Sequence, residues 1–597
     1  MPPQRNRLRE LLATYLLPHR GLVSSLTLFL FSSIGLQLLN PQIMRGFIDA
    51  ARSEISLEEV LRAGFLFLAI AVAQQILAIA ARYVSERLAW TATNALREDL
   101  ALHCLRLDMS FHNKRTPGEM IERVDGDVGH LANFFSQFIV RILGNLLLLA
   151  GVLAVLFSED WRLGAALAVY AILTVVSLAM MRNTAVPAWD EAREASAGLF
   201  GFLEEHLSGT EDIRANGGQA HSMNLLYGHG GKRLRTERVA GLRNVRLWGT
   251  TGGLHVLGHI IALTGGYLLY TTDQMTVGTV LMVLWYTDIL FRPLEQITRE
   301  LEDFQRASAS IGRVDHLRQT LSTIDVAPDR VTPDDTVAET GHGAEQIEAA
   351  VPLSVSFDGV KFGYDPEDPI LKDLTLEIAP NRVVGLLGRT GSGKTTISRL
   401  LFRLYDVQEG SIRIGGKDVR HVVPRDLRQR VGIVTQNVQL FRGTVRENLT
   451  FFDDTVPDDH IQEVIHKMGL SDWFATMPEG LDTLLKGSGG GLSAGEAQLL
   501  VFTRVFLKDP GLVILDEASS RLDPATEARI EIAVEHLLEK RTGIIIAHRL
   551  TTVQRADEIV ILEDGGIAEH GDRVALAADP DSRFSGLLKT GLSQVLS

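Results

Sequence analysis

The chain has 597 residues, a length that favours two or more domains over a single core. Hydrophobic residues make up 46% of it and charged residues 22%, which excludes a disordered, collagen-like or coiled-coil chain. The formal net charge of −14 argues against general nucleic-acid binding, and the single cysteine, Cys104, excludes an intramolecular disulfide framework and a cysteine-cluster zinc site.

Six apolar stretches in the first half of the chain approach the length that a helix needs to cross a bilayer. They are residues 21–39, 61–81, 138–157, 163–181, 254–270 and 277–291. Basic residues precede the first stretch and fill the second-to-third and fourth-to-fifth connections, whereas residues 158–162 and 271–276 are almost free of them. Because cytoplasmic connections carry excess Lys and Arg, we expect an all-α membrane domain of six spans with both termini in the cytoplasm.

The two basic connections are predicted to be mainly helical. Residues 83–107 have apolar side chains at helical spacing without Pro or Gly, so the second span is expected to continue past the membrane. The pattern breaks at Pro117-Gly118 and resumes over 119–138. Residues 110–117 and 209–217 are candidate turns between such extensions, and a charged helix at 303–319 leaves the last span.

Composition changes after this helix. Residues 325–351 are rich in Pro, Asp, Thr, Glu and Gly without an apolar period, which is typical of a linker. From residue 352 short Val/Ile/Leu runs alternate with helical patterns, which indicates an α/β domain with a mostly parallel sheet. The predicted organisation is therefore a transmembrane domain at 1–324, a linker at 325–351 and an α/β domain at 352–597.

A phosphate-binding motif follows the predicted strand 383–387. Residues 388–395 read Gly-Arg-Thr-Gly-Ser-Gly-Lys-Thr and fit G-x-x-x-x-G-K-[ST]. Glycines let successive backbone N–H groups surround an anion, and the following helix adds partial positive charge at its N-terminus. Lys394 is expected to reach the terminal phosphates, and Thr395 to offer its hydroxyl oxygen to Mg²⁺. The predicted nucleotide-binding residues of this loop are Gly388, Thr390, Gly391, Ser392, Gly393, Lys394, Thr395 and Thr396.

A second predicted strand, 512–516, ends in two carboxylates. Because side chains alternate along a strand, the two acids can point to different targets. Asp516 suits Mg²⁺ or its water, and Glu517 suits the water that attacks the γ-phosphate.

Residues 354–577 resemble an ATP-binding cassette. The resemblance rests on Tyr364, the phosphate loop, Gln436 in Val-Thr-Gln-Asn, Leu492-Ser-Ala-Gly-Glu496, the acidic pair 516–517, Ser520-Arg-Leu-Asp523 and His548. With six spans and long cytoplasmic extensions before the cassette, nearly the whole chain resembles a half-transporter of the ABC exporter type. The implied fold is a membrane all-α six-helix domain followed by an α/β P-loop ATPase domain.

This resemblance implies roles for further residues. Tyr364 would stack on adenine, Gln436 would sense the γ-phosphate and the membrane domain, and His548 would contact the γ-phosphate. Ser493 and Gly495 would cap the nucleotide held by a second cassette, so the active unit would be a dimer. The predicted catalytic residues are Glu517, His548 and Gln436, and the predicted Mg²⁺ ligands are Thr395, Gln436 and Asp516.

The segment 492–496, called the signature segment below, departs from the family's usual Leu-Ser-Gly-Gly-Gln. Ala494 replaces a glycine where backbone approaches phosphate, and Glu496 places a carboxylate near a triphosphate. Since Glu517 and His548 are retained, we expect a heterodimer in which an intact partner signature completes this chain's Mg·ATP site. A homodimer with slower turnover is the alternative.

The predicted function is ATP-driven export of an amphipathic, lipid, drug-like or peptide substrate across the cell membrane, with the cassette in the cytoplasm. The cofactors are ATP and Mg²⁺, and the partners are the bilayer, the substrate and a second half-transporter, with no nucleic acid. An ATP-gated channel or a membrane regulator is the alternative, because the cassette motifs report nucleotide chemistry and not coupling.

Three polar residues within the last two predicted spans are candidates for a function inside the membrane domain. His255 and His259 have the i, i+4 spacing of a metal-binding pair, but no third ligand is evident from the sequence, which favours polar lining or a helix contact. Asp288 is either a functional intramembrane acid or the partner of Arg292 one turn later.

Overall fold

The structure, a computed structural model, describes residue 10 and residues 13–51, 57–137, 142–324, 351–435, 438–485, 492–516, 524–546 and 553–590. The chain forms two compact units. The helical unit comprises Met1–Arg106 and Thr116–Leu321, and the α/β unit comprises Leu107–Arg115 and Ser322–Ser597. The predicted linker 325–351 lies outside the described residues except for Val351.

Among its described residues, the first half of the chain contains helices and the turns that connect them. Its α-helices are α1 (Arg20–Ala51), α2 (Leu57–Arg106), α3 (Met109–His112), α4 (Pro117–Ile121), α5 (Val128–Gln137), α6 (Gly144–Glu159), α7 (Trp161–Ser208), α8 (Thr210–Ala215), α9 (Gln219–Thr271) and α10 (Val277–Gln319). A 3₁₀ turn, Leu17–His19, precedes α1, and a π-helical segment, Glu122–Asp127, joins α4 to α5.

Helices lie at all six predicted spans. Among the described residues, five are long and apolar enough to cross a membrane, in α1, α2, α7, α9 and α10. The third predicted span falls partly outside the described residues and continues as the shorter apolar helix α6. The apolar window of α2 buries none of its residues, and Phe65 is 69% exposed. Large apolar side chains exposed along a helix are what contact with lipid requires.

The helices at the second and fifth predicted spans continue well beyond those spans. Helix α2 has 50 residues and α9 has 53. At about 1.5 Å per residue they are about 75 and 80 Å long, more than twice the ~30 Å bilayer core. The turns expected at 110–117 and 209–217 instead contain short helices, α3 and α8. Helix α3 forms because Asp108 accepts the orphan N–H of Phe111, and α4 because Thr116 accepts that of Glu119.

The α/β unit contains the strands and the remaining helices. The strands are β1 (Val355–Phe362), β2 (Leu371–Ile378), β3 (Val383–Gly388), β4 (Glu409–Ile414), β5 (Lys417–Asp418), β6 (Val431–Val434), β7 (Gly443–Thr444), β8 (Leu484–Leu485), β9 (Leu512–Asp516), β10 (Thr542–Ile546), β11 (Glu558–Glu563) and β12 (Gly566–Asp572). The helices are α11 (Lys394–Leu401), α12 (Pro424–Arg430), α13 (Val445–Thr450), α14 (Asp458–Lys467), α15 (Ser471–Phe474), α16 (Ala494–Leu507), α17 (Pro524–Leu538), α18 (Arg573–Ala578) and α19 (Arg583–Thr590).

The predicted parallel sheet has the strand order β12-β11-β3-β10-β9-β6, with β12 antiparallel at one edge. Its central strands are buried on both faces, which explains their uninterrupted apolar sequences. A second, antiparallel sheet, β2-β1-β4-β5, was not distinguished by the sequence analysis. In the parallel sheet Leu386, Ile546 and Asp516 are aligned across three neighbouring strands. The carboxyl ends of β3 and β9 therefore lie at the same edge.

Candidate nucleotide-binding site

The phosphate loop runs from the carboxyl end of β3 to the first turn of α11. Gly388, Gly391 and Gly393 have φ angles of +152°, +87° and +104°, which L side chains rarely adopt. A Cβ on Gly388 would lie 2.4 Å from the carbonyl oxygen of Leu562, and one on Gly393 would lie 2.6 Å from Leu371 Cδ2. The motif's glycines are therefore required by the local backbone as well as by a ligand.

The side chains of the loop fit a bound phosphate. Lys394 is buried and its Nζ donates to the carbonyl oxygens of Gly388 (2.6 Å) and Arg389 (3.0 Å), so the ammonium is held within the loop. Ser392 Oγ is buried and has no hydrogen-bond partner among the described residues. Thr395, by contrast, is exposed at the helix N-terminus. An anion at this position would meet a fixed cation, an unsatisfied hydroxyl and a helix N-terminus together.

Tyr364 is held beside the phosphate-loop helix. Its hydroxyl accepts a hydrogen bond from Arg399 (2.8 Å) and lies 3.4 Å from the hydroxyl of Thr396. Its ring packs edge-on against Phe362 and Tyr405, with centroid distances of 5.3 and 5.1 Å. With 37% of its surface exposed, the ring is positioned by its neighbours and is still open to a flat ligand.

Asp516 is the only predicted catalytic or metal-binding acid that lies within the described residues. It ends β9, opposite Ile546 of β10, at the same sheet edge as the phosphate loop. A carboxylate here and the hydroxyl of Thr395 are oxygen ligands of the kind that Mg²⁺ prefers. Glu517, Gln436 and His548 lie outside the described residues, so their roles stay predictions.

The signature segment is used to cap a helix. Ser493 is the N-cap of α16, and its Oγ accepts the backbone N–H of Glu496 at 3.3 Å. In return, the Glu496 carboxylate accepts the backbone N–H of Ser493 at 2.7 Å. This reciprocal capping box gives Glu496 a structural partner that the sequence analysis missed, although Ser-x-x-Glu before an apolar run signals it. Ala494 is exposed and Gly495 is buried.

Two further residues join the short helix α3 to the nucleotide site within the α/β unit. Asn113 donates a side-chain hydrogen bond to the hydroxyl of Tyr405, whose ring contacts Tyr364. Burial raises the pKa of Tyr405, which keeps the hydroxyl protonated. Asparagine and tyrosine 292 residues apart carry no sequence signal of this pairing.

Asp108 anchors the same short helix. Besides capping α3, its carboxylate accepts hydrogen bonds from the Ser322 hydroxyl (3.2 Å) and the Thr323 hydroxyl (2.8 Å). Burial raises the pKa of Asp108, but the hydrogen bonds from Thr323, Phe111 and Ser322 outweigh it, so its pKa lies below the ordinary value. Asp108 is therefore held as a carboxylate that joins α3 to the segment after α10.

A groove of about 1250 Å³ lies elsewhere in the α/β unit and is lined by basic, acidic and apolar side chains. Its lining includes Arg428, Arg504, Lys508, Phe441 and Phe451. Desolvation, together with the nearby Arg428, lowers the pKa of Lys508 to about 8. Desolvation also lowers the pKa of Arg504, whose guanidinium lies 5.2 Å from the ring centre of Phe451. Sequence analysis did not predict this groove, because its residues come from several separate elements.

Comparison with known proteins places these features in a family. A family model described as the ABC transporter transmembrane region matches residues 23–294, and the ABC transporter model matches residues 371–520. A fatty acid ABC transporter ATP-binding/permease protein of Mycobacterium tuberculosis (strain CDC 1551 / Oshkosh) is 31% identical over 488 residues, which are 81% of this chain and 74% of that protein. An ATP-dependent lipid A-core flippase of Escherichia coli O6:K15:H31 (strain 536 / UPEC) is 30% identical over 544 residues, 90% of this chain and 89% of that protein.

A solved structure shares the whole fold. The structure of a bacterial Atm1-family ABC exporter with ATP bound superimposes with a TM-score of 0.76 at 24% identity, covering 96% of this chain and 98% of that chain. The matches cover both the membrane helices and the phosphate-loop domain, and the relatives are ATP-dependent transporters. The chain thus belongs to the ABC transporter family as a half-transporter of the exporter type, a multi-pass membrane protein whose fused cassette is an ATPase coupled to transport.

Proposed function

We propose that this transporter exports an amphipathic substrate with a lipid-like apolar part. Its relatives include one whose name specifies a lipid A-core and one whose name specifies a fatty acid. Drug-like and peptide substrates are the other classes that the sequence analysis named. The long apolar helices expose large side chains along their lengths, so a substrate with an apolar part could reach the helical unit from the bilayer.

The observation that supports ATP-driven transport is the connection from α3 to the nucleotide site. Helix α3 belongs in sequence to the connection between the second and third spans, and Asn113 after it donates to Tyr405. Tyr405 packs against Tyr364, which is itself bonded to Arg399 on α11. Nucleotide that stacks on Tyr364 would therefore change the packing of a residue bonded to the membrane-domain connection. Coupling of ATP binding to helix movement would use this connection.

We assign the site residues accordingly. The loop from Gly388 to Thr396 holds the phosphates, and Lys394 exchanges its two carbonyl partners for phosphate oxygens. Thr395, Asp516 and Gln436 would hold Mg²⁺, which neutralises phosphate charge. Glu517 positions and deprotonates the attacking water. Gln436 senses the γ-phosphate, and His548 contacts it. These assignments combine the described loop with residues placed by their motif alone.

We further propose that the working unit is a dimer with a different half-transporter. Ser493 and Gly495 are assigned to the nucleotide held by the partner cassette. The Glu496 carboxylate is bonded to the backbone N–H of Ser493, so a negative charge sits at the N-terminus of α16. That position favours anions in an ordinary helix, and the carboxylate would compete there with a triphosphate. A partner with an unaltered signature would serve this chain's own site.

The proposed arrangement places both termini and the cassette in the cytoplasm, with the domain boundaries predicted above. Positive residues flanking the spans support this orientation. Co-expression of a tagged and an untagged copy tests the dimer. Robust self-association with full ATPase activity would exclude the obligatory heterodimer, whereas co-purification of a homologous chain from native membranes would support it.

Reconstituted vesicles with the cassette outside test the transport function. ATP and Mg²⁺ are expected to drive a headgroup-labelled phospholipid between leaflets against its gradient, and the Glu517→Gln variant is expected to bind ATP without this movement. Movement only down the gradient would instead identify an ATP-gated channel. Stimulation of ATPase activity by a cationic peptide, with none by lysophospholipid, would contradict the proposed lipid-like substrate class.

A further inference from the structure

A cluster of three potential metal ligands lies within the helical unit, outside the nucleotide chemistry. His255 and His259 stand one turn apart on α9, and Asp288 lies on α10. Asp288 Oδ1 is 3.2 Å from His259 Nε2 and 3.5 Å from His255 Nε2. The third ligand that the sequence did not reveal thus comes from the neighbouring helix. Within the described part of the chain the ion pairs of Asp288 are with these two histidines.

The spacing of the three atoms matches a metal's coordination sphere. Metal–ligand distances of about 2.0–2.1 Å and a tetrahedral angle require ligand atoms roughly 3.3 Å apart. The two measured separations from Asp288 lie on either side of that value. One ligand atom from each of the three residues also lies within 4.8 Å of the other two. A single ion can therefore reach all three after small side-chain movements.

Hydrogen bonding leaves the correct ring nitrogens available. His259 Nδ1 lies 3.0 Å from the carbonyl oxygen of His255, which accepts only, so this nitrogen carries the proton. In the neutral ring His259 Nε2 then presents a lone pair to the Asp288 carboxylate, and two acceptors face each other until a cation lies between them. A backbone carbonyl on the far nitrogen is a usual support for a metal-binding histidine.

The second imidazole is oriented by packing. The His255 ring lies 4.6 Å, centre to centre, from both His259 and Phe291. Its Nδ1 is buried, so Nε2, which faces Asp288, is the nitrogen that an incoming ion can reach. The side chains of His255, His259 and Asp288 are 40%, 29% and 52% exposed, so protein atoms do not enclose the cluster. Three protein ligands with an open fourth position are typical of a site whose ion can exchange.

We propose that His255, His259 and Asp288 bind a divalent transition-metal ion of the zinc class between α9 and α10. Two imidazoles and one carboxylate suit Zn²⁺ and its first-row neighbours, whereas Mg²⁺ and Ca²⁺ prefer oxygen ligands alone. The single carboxylate offsets half of the ion's charge, which makes binding compatible with a site inside the membrane domain. Because the ligands come from two helices, a bound ion joins α9 to α10 at this level.

Metal titration of the full chain tests the site. The protein is purified without a polyhistidine tag, stripped with a chelator and titrated with Co²⁺ alone, whose visible absorption reports low-symmetry coordination by nitrogen and oxygen. We expect one Co²⁺ per chain, displaced by Zn²⁺ and not by Mg²⁺. His259→Ala and Asp288→Asn should each weaken binding by at least about tenfold, and the double variant of both histidines should abolish it.

His221→Ala is the matched control, because it removes an exposed histidine from the start of the same helix and should leave Co²⁺ affinity unchanged. Asp288→Asn is nearly isosteric, so it decides the question if a histidine variant does not fold. Absence of Zn²⁺-displaceable Co²⁺ binding in the unaltered protein would mean a histidine–aspartate ion pair only and would overturn the proposal. Equal affinity in Asp288→Asn would overturn it too.

Discussion

Replacing Asp108 with asparagine tests whether one carboxylate joins α3 to the segment after α10. One oxygen of Asp108 accepts from the Phe111 backbone, 3.1 Å away, while the other accepts from Ser322 and from the backbone and hydroxyl of Thr323. Asparagine has one acceptor oxygen, so it can serve one of these two sides. The other side then faces an N–H₂ group.

The expected loss follows from the bonds. If the asparagine oxygen keeps Ser322 and Thr323, the cap on α3 is lost, at about 1 kcal/mol. The three remaining bonds share one acceptor oxygen, which loses its charge. A hydrogen bond to a charged group exceeds a neutral one by about 1 kcal/mol, and bonds on one acceptor are not additive, so we take about 1–2 kcal/mol for the three together. Since Asp108 is only 8% exposed, water can replace little of the lost hydrogen bonding. We therefore expect the free energy of local opening to fall by about 2–3 kcal/mol. At about 1.4 kcal/mol per factor of ten, that corresponds to roughly 30- to 150-fold.

Hydrogen exchange of the full chain measures this loss directly. The Thr323 amide donates to the Asp108 side chain, so its exchange should accelerate by that factor in Asp108→Asn. Asp160→Asn is the matched control, because Asp160 is also a helix N-cap: it caps α7 in the helical unit by accepting from the backbone N–H groups of Arg162 and Leu163. Exchange at Thr323 within about twofold of the unaltered protein would refute the reasoning, since a loss of 2 kcal/mol predicts more.

The same assay has a pH dependence of defined sign. Because the pKa of Asp108 is lower in the folded protein than its ordinary value near 3.9, its stabilisation is complete above that ordinary value. It is lost as the pH falls through the lower folded pKa. After correction for intrinsic exchange, Thr323 protection should therefore stay constant between about pH 5 and 8 and fall in acid, and Asp108→Asn should lack this acid limb.

Three further predictions concern the α/β unit. Lys394→Ala removes a buried charged donor to phosphate, so affinity for a fluorescent ATP analogue should fall by about 10- to 100-fold; unchanged affinity would contradict the assigned role. Glu517→Gln should retain ATP binding and lower steady-state turnover by roughly 10²- to 10⁴-fold, whereas full turnover would exclude Glu517 as the base. With its pKa at about 8, Lys508 is about half neutral at pH 8, against roughly 0.4% for an ordinary lysine, so an acylating reagent should modify it ahead of the exposed Lys372, as mass spectrometry can measure. Its depressed pKa also means that the folded state gains stability as the pH rises from about 8 to 10.4.

Features that depend on residues close together in the sequence were predictable from the sequence alone. The phosphate loop has positive φ angles at Gly388, Gly391 and Gly393. The motif specifies glycine at the first and third of these positions, and Gly391 occupies one of its variable positions. The strand before Asp516 is buried on both faces, so its apolar run was visible without knowledge of the fold. The membrane helices were located for the same reason, because crossing lipid requires a long continuous apolar segment whatever the neighbouring helices are.

The capping box at Ser493 and Glu496 could have been predicted and was missed. The Ser-x-x-Glu spacing that signals a capping box is present in the signature segment, where Glu496 stands in place of the family's usual glutamine. The structure supplies a second reason for a carboxylate at this position, the backbone N–H of Ser493. The helix α3 was similarly visible in the Asp-x-x-Phe spacing at its start, where a turn was expected.

Pairings between distant segments depended on the packed chain. Asn113 meets Tyr405 across 292 residues, and Asp108 meets Thr323 across 215. Asp288 lies beside the histidine pair because the face of α9 that carries His255 and His259 packs against the face of α10 that carries Asp288. The helical periodicity of one segment does not specify which face of another helix it will contact. Backbone conformation and the length of an apolar segment depend on consecutive residues, so the sequence alone determined them. The contacts between distant residues depend on how separate helices and strands are rotated and aligned against one another. That arrangement is fixed only when all their apolar faces are buried together, so the tertiary structure decided it.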